Sequence, residues 1–171
     1  AALCMSMVKY GLDTLEYANN NPSYVLEVLN RIIEKSVDDS MFVSMFYGRY
    51  DLENDIFTFG SAGHEPALYY NSKDQTFSDL DSKGLLLGVL PEIKYSQKDI
   101  HLSENDFIIL ITDGVTEFRN MDNFDSRAYI KRLAKSLSHL SAQEMCNKIF
   151  ENLNKLHNFQ LADDFTIVTI K

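Results

Sequence analysis

The sequence predicts a layered α+β sandwich, and three observations predict it. Over residues 1–36 the apolar residues recur at helical spacing. From Met41 the period shortens to the alternation of strands, interrupted by short turn-forming clusters. After Asp125 the helical spacing returns, and the chain closes on a run of strongly β-forming residues, Phe165 to Ile170. The order is two helices, about six strands, two helices and one strand. Runs of strands between pairs of helices fit packed layers better than alternating β-α-β units.

Each element follows from its residues. Cys4, Val8, Gly11, Leu15 and Ala18 mark one helical stripe, widened by Leu3 and Met7, which Asn19-Asn20-Asn21-Pro22 ends. Asn21 suits an N-cap and Pro22 the first helical position. A second helix carries Val25, Leu26, Val28, Leu29, Ile32 and Ile33 on one broad face and ends near Lys35, whose charge complements a helix C-terminus. Met41 to Tyr47 reads as an inner strand, Leu52-Glu53-Asn54-Asp55 as a turn, and Ile56 to Phe59 as the returning arm of a hairpin. Ser61 to Pro66 is a loop, Ala67 to Tyr70 a short strand, and Thr76 to Leu80 an edge strand. Gly84 to Pro91 is an apolar loop bounded by glycines, and Tyr95 to Leu102 alternates as a strand. Phe107 to Ile111, with three isoleucines, reads as a strand buried on both faces. Asn120 to Asp125 has no period. Tyr129, Ile130, Leu133, Ala134 and Leu137 mark one helix; Ser141 with Glu144 is a capping box opening another, lined by Met145, Ile149, Leu153 and Leu156. Asn158 to Asp164 is a loop before the last strand, which is expected from Phe165.

Composition excludes several function classes. The chain has 171 residues, 45% hydrophobic and 24% charged, which is globular and sufficient for one domain with a sizeable core. A formal net charge of −9 argues against a phosphate-backbone partner, so no nucleic acid is expected. No apolar run approaches the ~18 residues of a membrane span. The first residues lack the basic start of a signal peptide and an initiating Met, so the chain reads as cut from something longer. Cys4 and Cys146 lie far apart without CxxC spacing and read as reduced, buried thiols of a cytoplasmic protein.

Chemistry concentrates where carboxylates meet buried strands. The run Phe107–Ile111 leads into Asp113 and Gly114. An ionised carboxylate buried without a partner costs several kcal/mol or takes up a proton. Asp113 therefore needs a hydrogen-bonding turn, a basic partner or a metal cation, and local sequence leaves capping of the turn and a binding site equally open. Asp163-Asp164, before the last strand, is by itself a solvated acidic turn. The two motifs together favour a site for a hard divalent ion such as Mg²⁺ or Mn²⁺, which takes oxygen ligands and can activate water for in-line attack on a phosphate ester. His64 could titrate near neutrality as a general acid, but a loop histidine bonded to its hairpin is the commoner case. Glu65 and Pro66 read as turn chemistry. No GxSxG is present, neither cysteine has an adjacent base, and Gly84 and Gly88 lack the context of a phosphate-binding loop.

Five stretches occur in order: Met41-Phe42-Val43-Ser44-Met45-Phe46-Tyr47, Ser61-Ala62-Gly63-His64-Glu65-Pro66, Lys83-Gly84-Leu85-Leu86-Leu87-Gly88, Thr112-Asp113-Gly114-Val115-Thr116-Glu117 and Asp163-Asp164-Phe165-Thr166. Together they resemble the bacterial PPM/PP2C-type serine phosphatases of the SpoIIE group, most closely the branch that switches on the general-stress sigma factor. The resemblance covers the whole chain. It implies a PP2C-like αββα four-layer sandwich, a single phosphatase domain over 1–171, with helices at 1–36 and the sandwich strands and C-terminal helices at 41–171. It also implies a two-metal Mn²⁺ or Mg²⁺ site. Asp113 matches one metal-binding aspartate, with Gly114 beside it, and Asp163 matches another, while Asp164 supports the turn or joins the ligands. His64 falls on a possible active-site loop. The implied substrate is a phosphoserine on a small anti-sigma-factor antagonist (RsbV-like), and the two opening helices match a regulatory switch that forms a homodimer.

In that family a strand with a further aspartate and a glycine-rich turn leads into the helix that begins here at Ala1. By this resemblance one metal ligand lies before Ala1, the opening strands are missing, and residues 1–171 alone are expected to be inactive. The alternative is a catalytically incomplete phosphatase fold used for dimerisation or partner binding. An aspartyl-phosphate enzyme with Asp113 as nucleophile would want a second aspartate at position 115, which is Val.

Overall fold

A computed structural model describes residues 2–15, 21–36, 41–116, 124–156, 164 and 166–171. Ala18, the stretch 120–123, the loop 158–163 and Phe165 lie outside the described residues. Contacts divide the chain into two compact units, 1–66 with 81–102 and 67–80 with 103–171.

The first unit holds α1 (Ala2–Leu15), α2 (Pro22–Ser36), β1 (Met45–Asp51), β2 (Ile56–Ala62) and β5 (Lys98–His101), the three strands forming an antiparallel sheet in the order β1-β2-β5. Pro22 opens α2, and the Asn21 carbonyl accepts the Val25 N–H to close its first turn. Val25, Leu26, Leu29 and Ile33 form the buried stripe of α2 and pack with Leu15, Ala62, Leu87 and Tyr95. Gly11 lets α1 approach α2, since a Cβ there would sit 2.6 Å from Leu29 Cδ2. Leu3, expected in the buried stripe of α1, is 55% exposed, because α1 buries only the narrow line Cys4, Gly11 and Leu15.

Two strands differ from expectation for identifiable reasons. β1 begins at Met45 rather than Met41, because its partner ends at Ala62 and Gly63 turns away with φ +63°. Val43 instead bridges Leu87, each N–H donating to the other's carbonyl at 3.0 and 2.9 Å. β5 begins at Lys98 rather than Tyr95, because the Tyr95 ring turns into the α2 core and the Ser96 carbonyl accepts the Ser82 hydroxyl. The β1–β2 turn at 52–55 is as expected, with Asp51 Oδ1 accepting the N–H groups of Glu53 and Asn54 and Asp55 at φ +54°.

The second unit holds β3 (Ala67–Asn71), β4 (Thr76–Leu80), β6 (Phe107–Ile111), α3 (Asp113–Thr116), α4 (Ser126–Ser136), α5 (Ala142–Leu156) and β7 (Ile167–Ile170), with antiparallel strand order β4-β3-β6-β7. β4 is an edge strand, as its polar residues foretell. Leu68, Tyr70, Phe107, Ile109 and Ile111 on one face of this sheet pack against Ile130 and Ala134 of α4 and Met145, Ile149 and Leu153 of α5. Ile108 on the opposite face is buried as well, so β6 is covered on both sides. The α5 capping box forms: Ser141 N–H donates to Glu144 Oε2 at 3.0 Å and Glu144 N–H to Ser141 Oγ at 3.3 Å. Both cysteines are free; Cys4 is buried, but Cys146 is only partly so, its Sγ 3.6 Å from the Ile167 carbonyl at the sheet edge. No described helix is long and apolar enough to cross a membrane.

Candidate metal centre

The candidate site grows out of the β6–β7 pair. Ile111 and Ile167 are the last partners of the ladder, and the pairing continues one residue further. Thr112 N–H donates to the Thr166 carbonyl at 3.2 Å, and Thr166 N–H returns to Thr112 Oγ1 at 2.9 Å. The hydroxyl of Thr112 thus holds Thr166, the residue that precedes β7, after the backbone ladder ends. Thr112 carried no role in the sequence reading; a β-branched hydroxyl residue between an isoleucine run and an aspartate was the available clue.

Asp113 does not continue the strand but starts a single helical turn, α3, closed by Val115 N–H to the Thr112 carbonyl at 3.0 Å. Asp113 Oδ1 accepts the Gly114 N–H at 2.9 Å, which orients the carboxylate. Val115 is fully buried and anchors this turn in the core. Asp113 itself is exposed, contrary to a carboxylate carried into the interior by its strand, because the turn lifts it off the sheet.

The buried carboxylate of this stretch is Asp106, at the opposite end of β6, 5% exposed. It accepts the Tyr69 hydroxyl at 2.7 Å, Ser72 N–H at 2.7 Å and Ser103 N–H at 2.9 Å. Burial pushes its pKa up, but these donors outweigh burial and hold it below the usual carboxylate value. Burial together with the Asp106 bond pushes the Tyr69 hydroxyl up to about 12. The local Ser103 bond is that of an ordinary turn aspartate, and what distinguishes Asp106 comes from two donors 34 and 37 residues away.

The remaining candidates fall in different places. Asp164 is exposed, and Asp163 lies outside the described residues. His64 belongs to the first unit, where its Nδ1 lies 3.2 Å from Ser44 Oγ and its N–H donates to Ser61 Oγ at 3.3 Å. Among the described residues no three His, Cys, Asp or Glu side chains converge on one point. The donor chemistry at the β6–β7 end is carboxylate, the class that Mn²⁺ and Mg²⁺ accept, so Asp113 and Asp164 fit such an ion by type and by exposure.

Comparison with known proteins extends this picture. The family described as Stage II sporulation protein E (SpoIIE) matches residues 1–171. The phosphoserine phosphatase RsbU of Bacillus subtilis is 48% identical over all 171 residues, and the chain spans 51% of its length. The RsbU and RsbW domains of Rv1364c from Mycobacterium tuberculosis share the fold with a TM-score of 0.82 at 25% identity, covering 99% of this chain and 47% of that one. The catalytic domain of the serine/threonine phosphatase PstP, solved with two manganese ions, matches with a TM-score of 0.70 at 11% identity, covering 99% of this chain and 80% of that one. The mixed helix and antiparallel-sheet architecture is therefore that of the PP2C-type phosphatase domain.

Proposed function

The chain belongs to the SpoIIE family, and on that premise we propose that it forms part of a divalent-metal-dependent protein-serine phosphatase domain. Its substrate would be a phosphoserine on an anti-sigma-factor antagonist, and its action would turn on a general stress response. The observation that carries this reading is the 48% identity to a phosphoserine phosphatase along the entire chain. The family match runs without a break through both compact units, which supports reading residues 1–171 as one domain. Asp113 and Asp163 would hold Mn²⁺ or Mg²⁺, with Asp164 supporting the turn. When bound, the metal supplies an activated water for direct attack on phosphorus without a covalent enzyme intermediate. The chain's own part is positional. Gly114 N–H fixes the Asp113 carboxylate, and the Thr112–Thr166 bonds keep the approach to β7 beside it. The exposed Leu3, Met5 and Tyr10 on α1 support a homodimer formed through the opening helices.

The test is phosphate release from a phosphoserine protein, with and without Mn²⁺, by the intact protein and its Asp113→Asn variant. The substitution keeps shape and removes charge, so activity should fall by orders of magnitude while the fold persists. Wild-type turnover by the variant at saturating substrate would overturn the assignment. Intact protein that binds the phosphoprotein but never releases phosphate would point instead to a phosphatase fold kept for binding.

A further inference from the structure

α2 carries one residue that its packing does not explain. Among its buried residues, Pro22, Val25, Leu26, Leu29, Asn30 and Ile33, only Asn30 has a polar side chain, and it is 1% exposed. A buried amide left without partners costs about 1–3 kcal/mol, so its bonds define what it is for. Nδ2 donates to the Leu90 carbonyl at 3.0 Å, Oδ1 accepts Gly88 N–H at 2.9 Å, and the Tyr95 hydroxyl reaches Oδ1 at 3.5 Å. Asn30 thus grips the apolar loop 84–91 by its backbone at two points. Gly88 is held there at φ +90°, with room for no Cβ because one would sit 2.8 Å from Ile33 Cγ2.

The grip continues along the chain. Leu87, fully buried, exchanges both backbone bonds with Val43. The next residue, Ser44, places its Oγ 3.2 Å from His64 Nδ1. On the other side Gly63 packs against Leu86, a Cβ there lying 2.8 Å from Leu86 Cδ2. An unbroken series of bonds therefore runs from the buried amide on α2, through Gly88, Leu87 and Val43, to Ser44 and the His64 ring. We propose that Asn30 is a positioning residue for His64, holding the Ser44–His64 pair in place through the Leu87–Val43 bridge. This inference does not depend on what reaction His64 takes part in.

The experiment reads the ring and the bridge directly. In ¹⁵N-labelled protein at one fixed pH, the His64 ring nitrogen shifts would be recorded for wild type, Asn30→Ala, Ser44→Ala and Val25→Ala. Val25→Ala loosens the same buried face of α2 without touching the series. Asn30→Ala and Ser44→Ala should move the His64 ring resonances in the same direction, and Val25→Ala should leave them in place. Amide exchange at Val43 and Leu87 should quicken about tenfold in Asn30→Ala, the effect of losing roughly one hydrogen bond. Unmoved ring resonances in Asn30→Ala, or equal movement in Val25→Ala, would overturn the proposal. Wild type provides a check that needs no variant to fold. The amides of Val43, Leu87 and Gly88 should open together, with protection agreeing within about threefold. A spread beyond about tenfold among these three amides would show that they do not move as one unit.

Discussion

Replacing Asp106 by alanine should destabilise the second unit more than any single surface change. The carboxylate accepts three donors, the Tyr69 hydroxyl and the N–H groups of Ser72 and Ser103, while only 5% exposed. Removing it takes the acceptor from all three donors, a loss of about 1–3 kcal/mol for each that is fully buried. Partial access of water to the two loop amides brings the expected total to about 3–4 kcal/mol. For a chain of this size that is a fall in Tm of roughly 6–16 °C. Asp106→Asn keeps one acceptor and should cost about half as much, because Tyr69 can turn its hydroxyl to accept from the new amide. The pH dependence carries a sign. The folded-state pKa of Asp106 is lowered, so its stabilisation is fully present above the unfolded carboxylate pKa and is lost as pH falls through the folded value. Urea unfolding at neutral pH and again at stepwise lower pH would measure both effects, with the Asn variant losing this part of the acid sensitivity. An alanine variant within about 1 kcal/mol of wild type at neutral pH would refute the reasoning.

The other expectations concern the metal, a cap and a glycine. In a Mn²⁺ titration of phosphatase activity, Asp163→Asn should raise the concentration needed far more than Asp164→Asn; the reverse order would exchange their roles. Ser141→Ala removes the acceptor for Glu144 N–H and should lower stability by about 1 kcal/mol in thermal unfolding, with no change in metal response. Gly84→Ala would place a Cβ on the Ser61 carbonyl oxygen and against the Tyr95 ring, so a loss of about 2–3 kcal/mol is expected in urea unfolding. A neutral result there would mean that the backbone at Ser61 yields.

The elements were legible where period and local chemistry agree. The stripe of α2, the capping box of α5 and the turn at 52–55 are all set by residues within a few positions of one another. What escaped depends on distant partners. The start of β1 is decided by where β2 ends, and the start of β5 by whether Tyr95 points into the sheet or the helix core. Asn30 sits within an apolar helical stripe, and only the approach of loop 84–91, some 60 residues later, reveals why an amide belongs there. Gly84 and Gly88, dismissed as a phosphate loop, are packing devices that let that loop close on Ser61 and Ile33.

The same distinction separates the two aspartates of the β6 stretch. A carboxylate that is to receive a divalent cation must give up few existing bonds when it does so. Asp106, itself buried, would have to release the Tyr69 hydroxyl and two backbone amides, a loss of several kcal/mol before any cation is held. Asp113 stands in a different setting. It is exposed, and the N–H of its own neighbour bonds its Oδ1. Sequence reasoning started from the premise that Asp113 must be buried and therefore partnered. The structure reverses the premise: α3 lifts the carboxylate out of the core at the end of β6, where Thr112 and Thr166 are bonded to each other. The β6 stretch thus carries a carboxylate at each end, a buried one that holds loops together and an exposed one set on a helical turn.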